Sequence, residues 1–327
     1  MNKIYQKLTL MFAALLLCST WVAAVNLLPT GRVSGHSFTT TVLKSGSILI
    51  VGGYNTNKSL NTARVYSPST NAITPTGIME NPVRVWHTST LLANGKVLVA
   101  GGAIKTGLTA SAELYDPATN SFSATGVMAK ARYVHTATLL PNGKVLMVGG
   151  AGQLSTAELY DPAKGKFMPT GMMENPARTW HTATLLPSGK VLIAGGKSGS
   201  NFLSSAELYD PISNTFSSTG EMGGERYWHS ATLLSNGEVL IAGGIDEGGY
   251  TASAELYNPT TGIFTPTNSL RAERGDHIAT LMPSGQVFFE AGESKDGHLP
   301  EPEFYNPNQG SIVADNSTSP SSEMSMQ

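Results

Sequence analysis

Apolar and polar residues alternate by twos along most of this chain, and glycine, proline or asparagine breaks the alternation at regular intervals. One stretch shows the whole pattern. His181-Thr-Ala-Thr-Leu-Leu186 is followed by the Ser188-Gly189 turn and by Lys190-Val-Leu-Ile-Ala194, which stops at Gly195-Gly196. A variable stretch leads to Ala206-Glu-Leu-Tyr209, and Asp210-Pro211 then turns the chain toward Phe216. Period-two runs bounded by turn residues predict β-strands, here four short antiparallel ones. Helical periodicity is absent from these repeats.

The pattern recurs. Glycine pairs fall at Gly52-Gly53, Gly101-Gly102, Gly149-Gly150, Gly195-Gly196 and Gly243-Gly244, with Ala291-Gly292 as an imperfect sixth copy, at steps of 49, 48, 46, 48 and 48 residues. Tyr66, Tyr115, Tyr160, Tyr209, Tyr257 and Tyr305 each open a Tyr-(Asp/Asn/Ser)-Pro turn, and seven residues later stand Ile73, Phe122, Phe167, Phe216, Phe264 and Ile312. Six units of four short strands predict an all-β, six-bladed propeller. The glycine pair followed by a tyrosine and then a bulky apolar residue resembles the kelch repeat family over residues 26–314. One departure is that the final position, usually tryptophan in that family, is phenylalanine or isoleucine here. The resemblance implies a propeller over residues 25–314 with four antiparallel strands per blade.

The ends are different in kind. Lys3 and Lys7, the apolar run Leu8 to Leu17 and the small residues Val22-Ala23-Ala24 predict a signal peptide over residues 1–24. The expected location is therefore secreted or periplasmic; the alternative is an uncleaved anchor, since the apolar stretch approaches the ~18 residues of a membrane span. Removing residues 1–24 leaves 19 basic against 23 acidic residues, a net charge of −4, which excludes the basic footprint of a nucleic-acid binder. Cys18, the one cysteine, goes with the signal, so disulfides, thiolate metal sites and cysteine nucleophiles are excluded from the mature chain. Residues 315–327 read as a disordered tail. Both Leu27–Gly31 and the segment around Ile312 compete to be the outer strand of the last blade, and the Pro-Thr-Gly ending favours the N-terminal segment.

Candidate chemistry gathers in the links between blades. An Arg-x-x-His motif appears as Arg84/His87, Arg132/His135, Arg178/His181, Arg226/His229 and Arg274/His277, with Arg32/His36 one residue longer. Third strands carry Glu113, Glu158, Glu207, Glu255 and Glu303, and the unit that lacks the glutamate has Arg64 and the irregular Arg32 spacing. Arginine and glutamate varying together within one chain predict a repeated buried ion pair. Trp86, Trp180 and Trp228 stand just before a motif histidine, and Tyr133 and Tyr227 one residue further back. Such rings either wedge between blades or contact a ligand. In the last unit Asp276 takes the tryptophan slot, Glu290 replaces a small apolar residue, and the next loop supplies Glu293, Asp296 and His298. A carboxylate in a core strand needs a partner or a function.

Two functions follow as expectations, and a third is excluded. The first is a module binding a protein or glycan through the link-and-loop face, with Trp86, Tyr133, Trp180, Tyr227, Trp228, Asp276, Glu293 and His298 as contact residues. The second is a carbohydrate-active enzyme, because a sugar mutarotase is similar in having six kelch blades; Glu290, His277 and Arg274 would then be the acid–base set. A copper radical oxidase, which also resembles kelch proteins, needs a cysteine that the mature chain lacks. No cofactor and no metal site are expected, the Asp246-Glu247-Gly-Gly loop lacking the spacing of a calcium loop. A monomer is expected. Arg274-Gly275-Asp276 spells an integrin-type tripeptide by accident, its arginine belonging to the repeat. Asn57 and Asn316 lie in glycosylation-type sequences.

Overall fold

Six four-stranded antiparallel sheets follow one another along the chain, spanning residues 38–75, 88–124, 136–169, 182–218, 230–267 and 278–314, here called blades 1 to 6. The computed structural model describes residues 38–55, 58–59, 63–80, 84–151, 155–174, 177–299 and 301–314, and contains no helix among them. The expected signal peptide, Leu27–Gly31, Arg32, His36, Asn57 and the tail from residue 315 lie outside the described residues. Blade 4 shows the rule: Thr182–Leu185 is innermost, followed outward by Val191–Ala194, Ala206–Asp210 and Thr215–Ser218. Inner strands of successive blades lie side by side, and the sheets stand in a ring around them.

The core lies between blades. Successive residues of a strand point to opposite faces, so Leu192 and Ala194 of blade 4 pack on Val239 and Ile241 of blade 5. Val191 and Ile193 turn the other way, onto Leu146 and Val148 of blade 3. Each such side chain withdrawn from water contributes on the order of 1.5–3 kcal/mol for the larger aliphatics. The residues facing the next blade are no more than 1 % exposed in blades 1 to 5, whereas their equivalents in blade 6, Phe288 and Glu290, are half-buried. The last blade thus turns a less completely covered face toward the first.

Between third and outer strands the chain makes a tight turn that requires positive φ. Asn71, Asn120 and Asn214 fill that position at φ 52–59°, and Gly165, Gly262 and Gly310 fill it in the other blades. These are the residue types for which left-handed backbone costs least. The choice also decides where the repeat tyrosine finds a partner. Tyr66, Tyr115 and Tyr209 donate to the asparagine Oδ1, whereas Tyr160, Tyr257 and Tyr305 hydrogen-bond to Thr125, Thr219 and Thr267 of the preceding blade.

The outer strand of blade 6 is Ser311–Ala314, paired with Glu303–Asn306 so that Tyr305 stands opposite Ile312. This corrects the expectation that Leu27–Gly31 fills that place. The pairing repeats Tyr66 opposite Ile73 and Tyr209 opposite Phe216, and a four-residue turn closes it locally. Recruiting the other end of the chain would close a far longer loop at greater entropic cost.

Candidate functional site

The interblade links are built around the motif arginines. Arg84, Arg132, Arg178, Arg226 and Arg274 are buried, and each Nη2 lies 2.7–3.1 Å from the glutamate of its own third strand. In blades 2 to 5, Nη1 donates to the carbonyl of the first glycine of the pair and to a carbonyl just before the third strand. The second carboxylate oxygen accepts a backbone N–H of the incoming link, from Glu80, Ala129, Glu174, Gly223 or Arg271. The expected buried ion pair is present five times, and it fastens each link to its own blade.

The histidines fasten one blade to the one before. His87, His135, His181, His229 and His277 hydrogen-bond through Nε2 to Thr39, Thr88, Thr136, Thr182 and Ser230 of the preceding inner strand, at 2.8–3.1 Å. The glycine pair makes room for them. A Cβ on Gly195 would stand 2.6 Å from the Arg226 carbonyl and 2.7 Å from His229 Cε1. Burial, reinforced by the neighbouring arginine, pushes His87, His181 and His277 down to about 3, and moves His135 and His229 well down as well. All five imidazoles are therefore neutral scaffold groups. The expected sixth member is corrected: Phe38, not His36, holds the slot, opposite Gly52 and against Gly53 as His87 stands against Gly102.

The residue before each histidine forms a second ring at the mouth. Trp86, Val134, Trp180, Trp228 and Asp276 all have φ between 49° and 57°. Backbone bonds join several of them around the mouth, from Val134 N–H to the Trp86 carbonyl, from Trp180 N–H to that of Val134, and from Asp276 N–H to that of Trp228. Left-handed backbone at a bulky or β-branched residue costs on the order of 1–3 kcal/mol. The turn described above meets the same demand with asparagine or glycine every time. At the mouth the chain instead holds three tryptophans, a valine and an aspartate.

The rings make two groups. Trp86, 40 % exposed, lies 5.6 Å from Tyr133. The larger group runs from Trp180 to Trp228 (5.3 Å, edge-on), to Tyr227 (5.6 Å) and to Phe202 (5.1 Å, stacked), with Lys197 Nζ 4.8 Å from the centroids of both Phe202 and Tyr227. The Trp228 indole N–H is buried without an acceptor among the described residues. Link and loop share this face, since Val85, Thr179, Tyr227 and Gly275 bridge to Ala103, Lys197, Ile245 and Glu293 just after the glycine pairs. The loops there are two-stranded ribbons, such as Lys197–Ser198 with Asn201–Phe202.

Phe202, Lys197 and Tyr250 were not singled out in the sequence. The signal was positional: Leu108, Phe202, Tyr250 and His298 each stand six residues after the second glycine. Tyr250 lies over Gly275, where a Cβ would meet its ring at 3.2 Å. Asp276 follows at once, Glu293 bridges to Gly275, and both carboxylates raise the Tyr250 hydroxyl after burial has done so. His298 stands opposite Glu293 in the last ribbon and is exposed.

The three residues considered for acid–base catalysis are not assembled into a site. His277 turns toward blade 5 and bonds to Ser230, Arg274 is buried against Glu303, and Glu290 lies on the opposite face of the sheet from Phe289, toward blade 1. The buried Arg274 also removes the Arg-Gly-Asp tripeptide from consideration as a surface motif. No three histidine, cysteine, aspartate or glutamate side chains converge to hold a metal ion among the described residues.

No curated protein matches the chain. The Kelch motif family model matches two stretches, residues 36–72 and 182–223. Those matches, with six blades of four antiparallel strands in a ring, support a kelch-repeat propeller, a scaffold that commonly serves as a protein-binding module.

Proposed function

We propose that this propeller is a binding module, acting outside the cytoplasm, whose link-and-ribbon face engages a protein partner through the rings at its mouth. One observation carries the proposal. The left-handed slot before the histidine holds Trp86, Trp180 and Trp228 although glycine or asparagine would relieve its strain. Strain kept at aromatic positions, exposed at Trp86 and partly exposed at Trp180 and Trp228, points to selection for contact rather than for stability, and tryptophan is a frequent anchor of protein interfaces. Export rests on the basic and apolar pattern of residues 1–24.

The test uses biotinylated mature protein and a photo-crosslinker, comparing the wild type with Trp86→Gly and Trp228→Gly after circular dichroism has shown both to be folded. The expected result is a crosslinked protein partner lost in both variants. Capture unaffected by either change refutes the proposal, and so does a glycan array that binds the wild type strongly while no protein is captured.

A further inference from the structure

Each of the first four blades is pinned to the next where its outer strand ends. Gly77, Gly126, Gly171 and Gly220 follow those strands, and their N–H groups donate at 2.9–3.0 Å to the carbonyls of Asn120, Gly165, Asn214 and Gly262 in the outer turns of blades 2 to 5. The fit leaves no room for a side chain. A Cβ on Gly126 would stand 2.5 Å from the Gly165 carbonyl oxygen, and one on Gly171 3.0 Å from that of Asn214. Just ahead of the glycines, the Pro75 carbonyl accepts from Asn120 Nδ2, and Thr125 and Thr219 bond to the repeat tyrosine of the next blade. Blade 1 has the same turn, with Asn71 at φ 53°. The blade before it in the ring supplies no such glycine: its outer strand ends at Ala314, Asp315-Asn316 stand where blade 1 has Thr76-Gly77, and no glycine follows Gly310. Tyr115, Tyr160, Tyr209, Tyr257 and Tyr305 are buried, whereas Tyr66, bonded to Asn71, stays partly exposed.

The chain holds one further copy of this ending. Pro29-Thr30-Gly31 repeats Pro75-Thr76-Gly77 and Pro169-Thr170-Gly171, and it follows no outer strand of its own, since Ser311–Ala314 fills that place in blade 6. Gly31 precedes Asn71 by 40 residues, and the four observed contacts join residues 39 to 43 apart. Thr39 of the inner strand lies eight residues beyond Gly31. Eight extended residues reach about 26 Å, more than the roughly 14 Å between the outer and inner strands of a four-stranded sheet. We infer that Pro29-Thr30-Gly31 docks on the outer turn of blade 1, with Gly31 against the Asn71 carbonyl, and so closes the seam between blades 6 and 1. The segment takes over where the outer strand of blade 6 ends, and it covers Tyr66. The glycine end carries this link, because Arg64 replaces the glutamate that elsewhere accepts a link N–H, and a guanidinium has no acceptor. The inference concerns ring closure and is independent of the binding-module reading.

Because the mature chain lacks cysteine, two engineered pairs report which end of the chain occupies the turn. In blade 2 a Cβ on Gly77 would lie 3.5 Å from the Ser121 Cβ, within disulfide range. Gly31→Cys with Ala72→Cys puts a pair at the equivalent positions of blade 1, and Asn316→Cys with Ala72→Cys does the same for the C-terminal tail. Both mature variants are oxidised with glutathione disulfide, and bridges are read by mass spectrometry of peptides. The bridge from position 31 is expected to form at least tenfold faster than the bridge from position 316. Hydrogen exchange supplies a second measurement that needs no cysteine. Amides of residues 30–33 are expected to exchange at least tenfold more slowly in the wild type than in Gly31→Val, with blades 2 to 5 unaltered. A bridge from position 316 that forms as fast or faster overturns the inference. So does wild-type exchange of residues 30–33 at the rate of an unstructured peptide, or protection that survives Gly31→Val. Where neither bridge forms, exchange decides.

Discussion

Glu207→Gln removes one charge from the most completely enclosed arginine–glutamate pair and leaves the side-chain shape almost unchanged. Both partners are 0 % exposed, 3.1 Å apart. The Glu207 carboxylate accepts from Arg178 Nη2 and from the Glu174 N–H at 2.8 Å. A glutamine amide has one oxygen and one NH2 group, so whichever way it faces, a donor is turned toward either the guanidinium or the backbone N–H. Removing one member of a buried pair costs about 3–5 kcal/mol, set against a whole-domain stability of about 5–15 kcal/mol. The remaining Arg178 bonds, to the Gly195 and Ser205 carbonyls and the Ser205 hydroxyl, do not neutralise its charge. The measurement is urea unfolding followed by tryptophan fluorescence, with the change read from the midpoint at constant slope. Lys190→Gln is the internal reference, since Lys190 and Asp210 form a partly exposed pair at 3.2 Å, worth under about 1 kcal/mol. A Glu207→Gln loss no larger than that of Lys190→Gln refutes the account of the links as buried locks.

Acid should destabilise the protein early. The buried imidazoles of His87, His181 and His277 titrate at about 3 in the fold against about 6.5 when unfolded, so the unfolded chain binds more protons between those values; each such histidine removes up to about 1.4 kcal/mol per pH unit as pH falls through that window. Melting temperature against pH checks this, and native imidazole resonances titrating near 6.5 contradict it. Gly195→Ala should cost about 3 kcal/mol or more in urea, because the new Cβ meets the Arg226 carbonyl at 2.6 Å in left-handed backbone. Ala291→Gly, where φ is already 55°, should be neutral or stabilise by up to about 1 kcal/mol; a comparable loss at both sites argues against steric control of the pair. Trp86→Gly should leave stability within about 1 kcal/mol of the wild type, since relief of strain offsets the lost contact with Tyr133, and a loss above 3 kcal/mol would make the indole a packing element.

Much of this was legible in the chain because a repeat states each structural demand several times. The ion pair was readable from Arg64 and Arg32 departing together, before any geometry. The histidine series was misread at one end, since counting residues from Arg32 led to His36, whereas pairing with Gly52 places Phe38 in the slot. Residue types announced candidates, but backbone conformation sorted them. Trp86 and His87 are neighbours, yet one is strained and exposed and the other neutral and locked between blades. The Phe202–Tyr227–Trp228–Trp180 tract joins three separate stretches of chain, and only the packing of links against ribbons brings them together.

Every blade takes its four strands from one uninterrupted stretch of chain, and this has a consequence for the order of assembly. All sheet hydrogen bonds within a blade join segments close in sequence, so a blade is complete as soon as its own residues have left the ribosome. Contacts of such short range form fast, and each finished blade offers its inner-strand threonine or serine to the histidine of the next. Folding can run from the first blade to the last without waiting for a distant strand. The meeting of blades 6 and 1 then comes at the end, at the positions where the chain carries Ile278 and Phe38 in place of the hydrogen-bonding pair.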